Sequence, residues 1–295
     1  MPAPPPSTAP AGAPPALVDR AALARARARA RRAGLARFLH DAAIAELQER
    51  LAEVNRTFTA AAVVSGFPEI WGPALEQAVP GAVAVEDAPV LALAPGAHDL
   101  VVHALALHWA DDPVGQLVQC RAALRPDGLF VGVLFGGRTL EGLRTALAEA
   151  EVTATGGLSP RIAPMAEIRD LGAALQRAGF ALPVADSVPH EVSYASALHL
   201  MRDLRAMGEG NVLAARHRRI PPRALFAEAA ARYAAAHPAP GGRVRALFDT
   251  IWLTGWAPGP GQPRPLRPGS AATRLADALG AMDAPQTPPG GDGAD

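Results

Sequence analysis

Four short apolar runs alternate with helix-like segments in the first half of this chain, and that alternation constrains the fold more than any other feature. The runs are AAAVV (60–64), GAVAVED (81–87), VVHALAL within HDLVVHALALHW (98–109), and LFVGVLFGG (129–137). A strand that is apolar on both faces must be covered on both, which is the pattern of a parallel sheet with helices above and below. Helices are expected before the first run, where Phe38, Ile44, Leu47, Leu51 and Val54 form a stripe, and from Pro113 to Leu124, stopped by the turn RPDG. Further helices are expected over 138–151 and over 166–178, the latter capped by Gly179. An extended ADSVPHEVSY, a helix SALHLMRDLRAMG, a helix over 221–236 opened by proline and a last strand near RALFDTIWLTGWAP complete the order. The resulting division is a disordered Pro/Ala tail at 1–20, a helical segment at 21–57, an α/β domain at 58–257, and a Pro/Gly-rich tail at 258–295 that is largely disordered.

Composition excludes several classes. The 28 basic residues, all arginine, balance 28 acidic ones, so no overall field draws the chain to nucleic acid. One cysteine, Cys120, excludes an internal disulfide framework and a multi-cysteine zinc site; a reducing compartment, taken as bacterial cytoplasm, is the expectation. With Leu117 and Leu124 at helical spacing, Cys120 reads as a small core residue. No apolar run approaches the ~20 residues that span a bilayer, and MPAPPPSTAPAGAPPA lacks the basic and apolar regions of a secretory signal. Seven arginines interleave with alanine and leucine between Arg20 and Arg37; this stretch reads as a solvated helix leading into the next.

In an open α/β sheet, ligands bind beyond the carboxyl ends of the strands where the strand order reverses. Three stretches meet there: SGF after the first strand, ED after the second and HWADD after the third. His108 is the candidate general base, with Trp109 beside it; the plainer reading has His108 capping an edge and Trp109 packing under a helix. Asp111 and Asp112, before Pro113, read as helix caps. His103 and His108 lie five apart on a strand and face opposite sides, so no metal pair is expected. Arg161, Arg202 and Arg205 read either as a clamp for a carboxylate or acidic partner or as ordinary surface residues.

These stretches resemble the class I S-adenosylmethionine-dependent methyltransferase fold, a Rossmann-like sheet with helices on both faces. The segments LHWADDPVGQL, LRPDGLF, FGGRTLEGLR, EAEVTATGGLSPRIAP, RDLGAALQRAGF, LMRDLRAMGEGN, TGWAP and PLRPGSA, in that order, are similar to one branch of that family. The branch is typified by the mitochondrial complex I assembly factor that is an arginine hydroxylase; the malonyl carrier-protein methyltransferase of biotin synthesis is a more distant relative. The resemblance implies S-adenosylmethionine as cofactor, held by Ser65, Gly66, Asp87, Leu107 and His108, with His108 also the catalytic base. It further implies a protein acceptor or client, such as a respiratory complex I subunit. The chain departs from the family in its first half: VVSGFPEIW carries one glycine where the family has a Gly-x-Gly loop, and only about thirty residues separate Gly66 from Asp99. The expected sheet is therefore short by about one strand–helix unit, with six or fewer strands before the C-terminal hairpin. Asp87 matches the adenine side, and the strand carrying the ribose carboxylate is the missing one; an alternative registration makes Glu86 that carboxylate. Two functional readings follow: a methyltransferase-like enzyme with a degenerate loop that modifies a protein side chain, or an inactive scaffold or assembly factor of the same fold.

Overall fold

Eight helices and seven strands are described in a computed structural model covering residues 16–260 and 262. In chain order these are α1 (Arg20–Ala33), α2 (Phe38–Glu53), β1 (Ala61–Ser65), α3 (Pro68–Ala78), β2 (Val83–Glu86), β3 (His98–Ala104), α4 (Pro113–Ala123), β4 (Leu124–Gly136), α5 (Glu141–Thr155), α6 (Ile168–Arg177), β5 (Ala181–Tyr194), α7 (Ala197–Ala206), α8 (Arg223–Ala236), the two-residue β6 (Pro238–Ala239) and β7 (Arg243–Trp256). Most of the two expected tails lies outside the described residues.

The strands form one sheet in the order β2-β1-β3-β4-β7-β5, with β6 against β7. β2, β1, β3 and β4 run parallel, and β7 inserts antiparallel between β4 and β5. From β1 the chain steps outward to β2 and then back across to β3, so the order reverses beside β1. Right-handed crossovers in opposite directions require helices on opposite faces. Accordingly, Trp71 and Leu75 of α3 pack with Ala61 and Val63 on one face. Leu117 and Cys120 of α4 pack with Ala62 and Val64 on the other. Cys120 is a core residue, as expected, and burial pushes its thiol well above the usual range.

The shortened first half is real, but its location differs from the expectation. β2 is hydrogen-bonded directly to β1, with Ser65 opposite Glu86. The strand absent from the path is thus the one that would lie outside β2, not one between β2 and β1. Lacking that neighbour, β2 is a four-residue edge with Val83 exposed, and shortness limits its capacity to recruit another strand. The third strand also ends earlier than its apolar run: Leu105 adopts a left-handed φ of 45°, and Leu107–Trp109 turns into a short 3-10 helix. The extended segment at 185–194 belongs to the long strand β5, half-buried along its length.

Helix α2 is fixed to α3 by a buried histidine. Trp71 Nε1 donates to His40 Nδ1 at 3.0 Å, and the His40 ring meets Phe67 edge-on. Burial keeps His40 neutral, lowering its pKa to about 4; burial also lowers His98 and His103. The unfolded chain takes up the His40 proton near pH 6.5 and the folded chain only near 4, so stability must fall as pH drops through that window. Between pH 7 and pH 5, above the carboxylate range, His40 alone accounts for about 2 kcal/mol. Urea unfolding of His40→Gln, which retains an acceptor for Trp71, should show a correspondingly flatter pH dependence over that interval than the wild type.

Candidate functional site

The carboxyl ends of β1, β2 and β3 meet at the reversal of strand order, and most of the residues singled out from sequence lie there. β1 runs into Ser65, Gly66 and Phe67, after which Pro68 opens α3 at a position where its missing N–H costs nothing. Ser65 is fully buried, and its Oγ accepts a bond from the Phe67 N–H at 3.1 Å. Asp87, directly after β2, is 5% exposed.

Across this junction lies α1. Its N-cap is Asp19, which accepts from Ala22 N–H, and Ala22, Leu23 and Ala26 pack against Trp109, Ala163, Val212 and Leu213. Arg20, Arg27 and Arg31 are spaced seven and four apart and share one stripe of the helix. Arg27 Nη1 and Nη2 donate to Asp87 Oδ1 and Oδ2 at 2.5 and 3.0 Å, a bidentate pair with Arg27 only 8% exposed. Arg20 donates to the Asp87 carboxylate and to its carbonyl, and Arg31 donates to the Gly66 carbonyl at 2.9 Å and to Glu69. The expectation of a solvated helix at 20–37 therefore holds only in part: Arg25, Arg29 and Arg32 are exposed, but one stripe of α1 lies on the strand ends, with Arg27 buried, Arg20 half-buried and Arg31 at the exposed rim.

This arrangement bears directly on the cofactor. A Cβ added to Gly66 would collide with the Arg27 guanidinium, so the space opened by that glycine is filled by the chain itself. Asp87 is already satisfied by two arginines, and the Ser65 hydroxyl is turned onto its own loop. These residues, as arranged, do not fit S-adenosylmethionine. Leu107 packs with Leu117 into the core under α4.

His108 and Trp109 face a different space. Glu209, just beyond α7, accepts from Trp109 Nε1 at 2.9 Å and lies 3.2 Å from His108 Nε2, while the His108 ring rests against Phe135. They line a cavity of about 700 Å³ whose apolar lining includes Phe135, Leu143, Met165, Phe226 and Phe248. Arg161, Arg202 and Arg205 also line it, so the structure brings together the three arginines noted in the sequence. Arg161 is held by Glu151 at 2.5 and 3.0 Å, along with Ser159. Burial alone would raise the Glu151 carboxyl, but these bonds hold it below its ordinary range. Asp112 caps α4 through Gly115 N–H, whereas Asp111 instead accepts from Leu17 and Val18 N–H and anchors the approach to α1. His103 is buried against Gln116, and no group of three His, Cys, Asp or Glu residues suits a metal among the described residues. Sequence reasoning missed Arg27 and Glu209; the seven-and-four spacing of the α1 arginines was the available signal for the first.

No protein-family model matches the chain. It is 36% identical to the arginine-hydroxylase NDUFAF5, mitochondrial, of Danio rerio over 199 residues, covering 68% of this chain and 62% of that protein. The Homo sapiens protein of the same name is 36% identical over 202 residues, 68% of this chain and 58% of that one. Malonyl-[acyl-carrier protein] O-methyltransferase of Xylella fastidiosa is 34% identical over 179 residues, 61% and 58% of the two chains. The chain thus spans less than two thirds of the length of these curated relatives. Among solved structures, the YcgJ protein of Bacillus subtilis aligns at a TM-score of 0.46 and 11% identity, over 73% of this chain and 98% of that one.

Removing one partner of a buried ion pair strands the other charge, so Arg27→Ala should cost about 2–4 kcal/mol in urea unfolding, moderated by Arg20. Gly66→Ala should cost more than about 1 kcal/mol in the wild type and almost nothing in the Arg27→Ala background, a coupling read from the four-member cycle.

Proposed function

Because this chain belongs to the class I methyltransferase-like family, as a homologue of the NDUFAF5 arginine hydroxylases, we propose that it is a methyltransferase-like binding protein whose cofactor half has been given over to its own N-terminal helix. The observation that carries this reading is the Arg27 guanidinium lying over Gly66 and clamped on Asp87. A cofactor would have to break that pair and expose Asp87 before making any contact of its own. Against a buried bidentate pair this is a cost of several kcal/mol, or a loss of several powers of ten in affinity.

The relatives' hydroxylation of arginine is a poor fit for this cavity. A guanidinium substrate needs a carboxylate, yet Glu209 is the cavity's single acidic lining residue and already serves Trp109 and His108. Five arginines share the same walls and would repel it. The function supported best is recognition without turnover, in the manner of a scaffold or assembly factor. Its client is a protein, for which the homology favours a subunit of respiratory complex I.

Calorimetric titration with S-adenosylmethionine and S-adenosylhomocysteine tests this. The wild type, shown to be folded, should not bind at up to millimolar ligand. Micromolar binding by the wild type that Asp87→Ala weakens would overturn the reading.

A further inference from the structure

The cavity beside His108 has a definite chemistry of its own. Its depth is apolar, and its volume of about 700 Å³ lies in the range of small-molecule sites. Of the five arginines lining it, Arg161 is paired with Glu151 and Arg216 with Asp19. Arg29, Arg202 and Arg205 are exposed at its edge and form no ion pair among the described residues. In a chain of zero net charge, that is a local concentration of positive charge around an apolar hollow.

A second observation comes from His108, whose side chain is 5% exposed. Its Nε2 donates to the Glu209 carboxylate, which in the neutral ring makes Nδ1 an acceptor. That Nδ1 is buried without a hydrogen-bond partner among the described residues, and a buried polar atom left so carries a standing cost. That nitrogen is closed to solvent from the cavity side as well, so the ring, resting on Phe135, is what His108 offers an occupant.

We propose that this cavity binds a small amphipathic carboxylate: an apolar chain of medium length that lies along Phe135, Met165 and Phe248 and presents its carboxylate to Arg202 and Arg205. The proposal goes beyond the binding-protein reading by adding a small-molecule ligand to the protein client, and it invokes no turnover. It also stands apart experimentally. Tight binding of S-adenosylmethionine would overturn the proposed function and leave this site untouched, whereas an unresponsive cavity would leave the α1 contact with Asp87 intact.

The test is calorimetric titration of the full chain with decanoate and decylamine, each below its micellar concentration. Decanoate should bind, with no saturable heat from decylamine. Arg202→Gln combined with Arg205→Gln, two exposed positions whose change should leave the thermal midpoint unmoved, should weaken decanoate binding at least tenfold. Equal binding of decylamine and decanoate, indifference to the arginine substitutions, or no binding of decanoate would overturn the proposal.

Discussion

The bidentate contact between Arg27 and Asp87 is the constraint on which the arrangement of the strand ends depends. It joins α1 to the residue that follows β2, and with Arg31 on the Gly66 carbonyl it closes the junction where ligands of open α/β sheets bind. A buried guanidinium and a buried carboxylate are each costly alone and tolerable only together, so neither can be released without the other. The geometry supports the pair from both sides. Asp111 holds the backbone entering α1, Asp19 caps the helix and takes Arg216, and Leu23 and Ala26 pack on Trp109 and Leu213.

This division separates two halves of one fold. On the side of β1 and β2 the sheet is short, its edge strand is exposed, and the former opening is filled by arginine. On the side of β3 and β4 a cavity persists, walled by α5, the segment around Met165, α7 and the turn carrying His108. The similarity to the curated relatives covers 68% of the chain, yet a fold common to relatives does not carry their chemistry with it. The features that distinguish the two halves are local: a guanidinium clamped on Asp87 beside Gly66, and arginines unpaired among the described residues at the rim of an apolar cavity.

The difference in the missing strand has a simple origin. Counting residues between Gly66 and Asp99 reveals that a unit is absent, but spacing cannot say which neighbour β1 keeps. Hydrogen bonding decides it, and pairing Ser65 with Glu86 leaves the absence at the sheet's edge, where losing a strand exposes one short segment and leaves the core intact. Deleting a strand from the middle would have broken the ladder on both of its sides.

Sequence alone determined the class of fold, because strands apolar on both faces admit few arrangements and the helical stripes between them leave a parallel sheet. It also determined Cys120 as core and Asp112 as a cap. It did not disclose that α1 buries Arg27 and lays Arg20 and Arg31 along the strand ends. Alternating arginine and alanine looks the same whether a helix is solvated or pressed on a carboxylate, and only the folded chain brings Asp87 to within reach of a residue sixty positions earlier. Glu209, a hundred residues from the Trp109 and His108 it joins, was hidden for the same reason: periodicity reports which face of an element is buried, and tertiary structure decides what it is buried against.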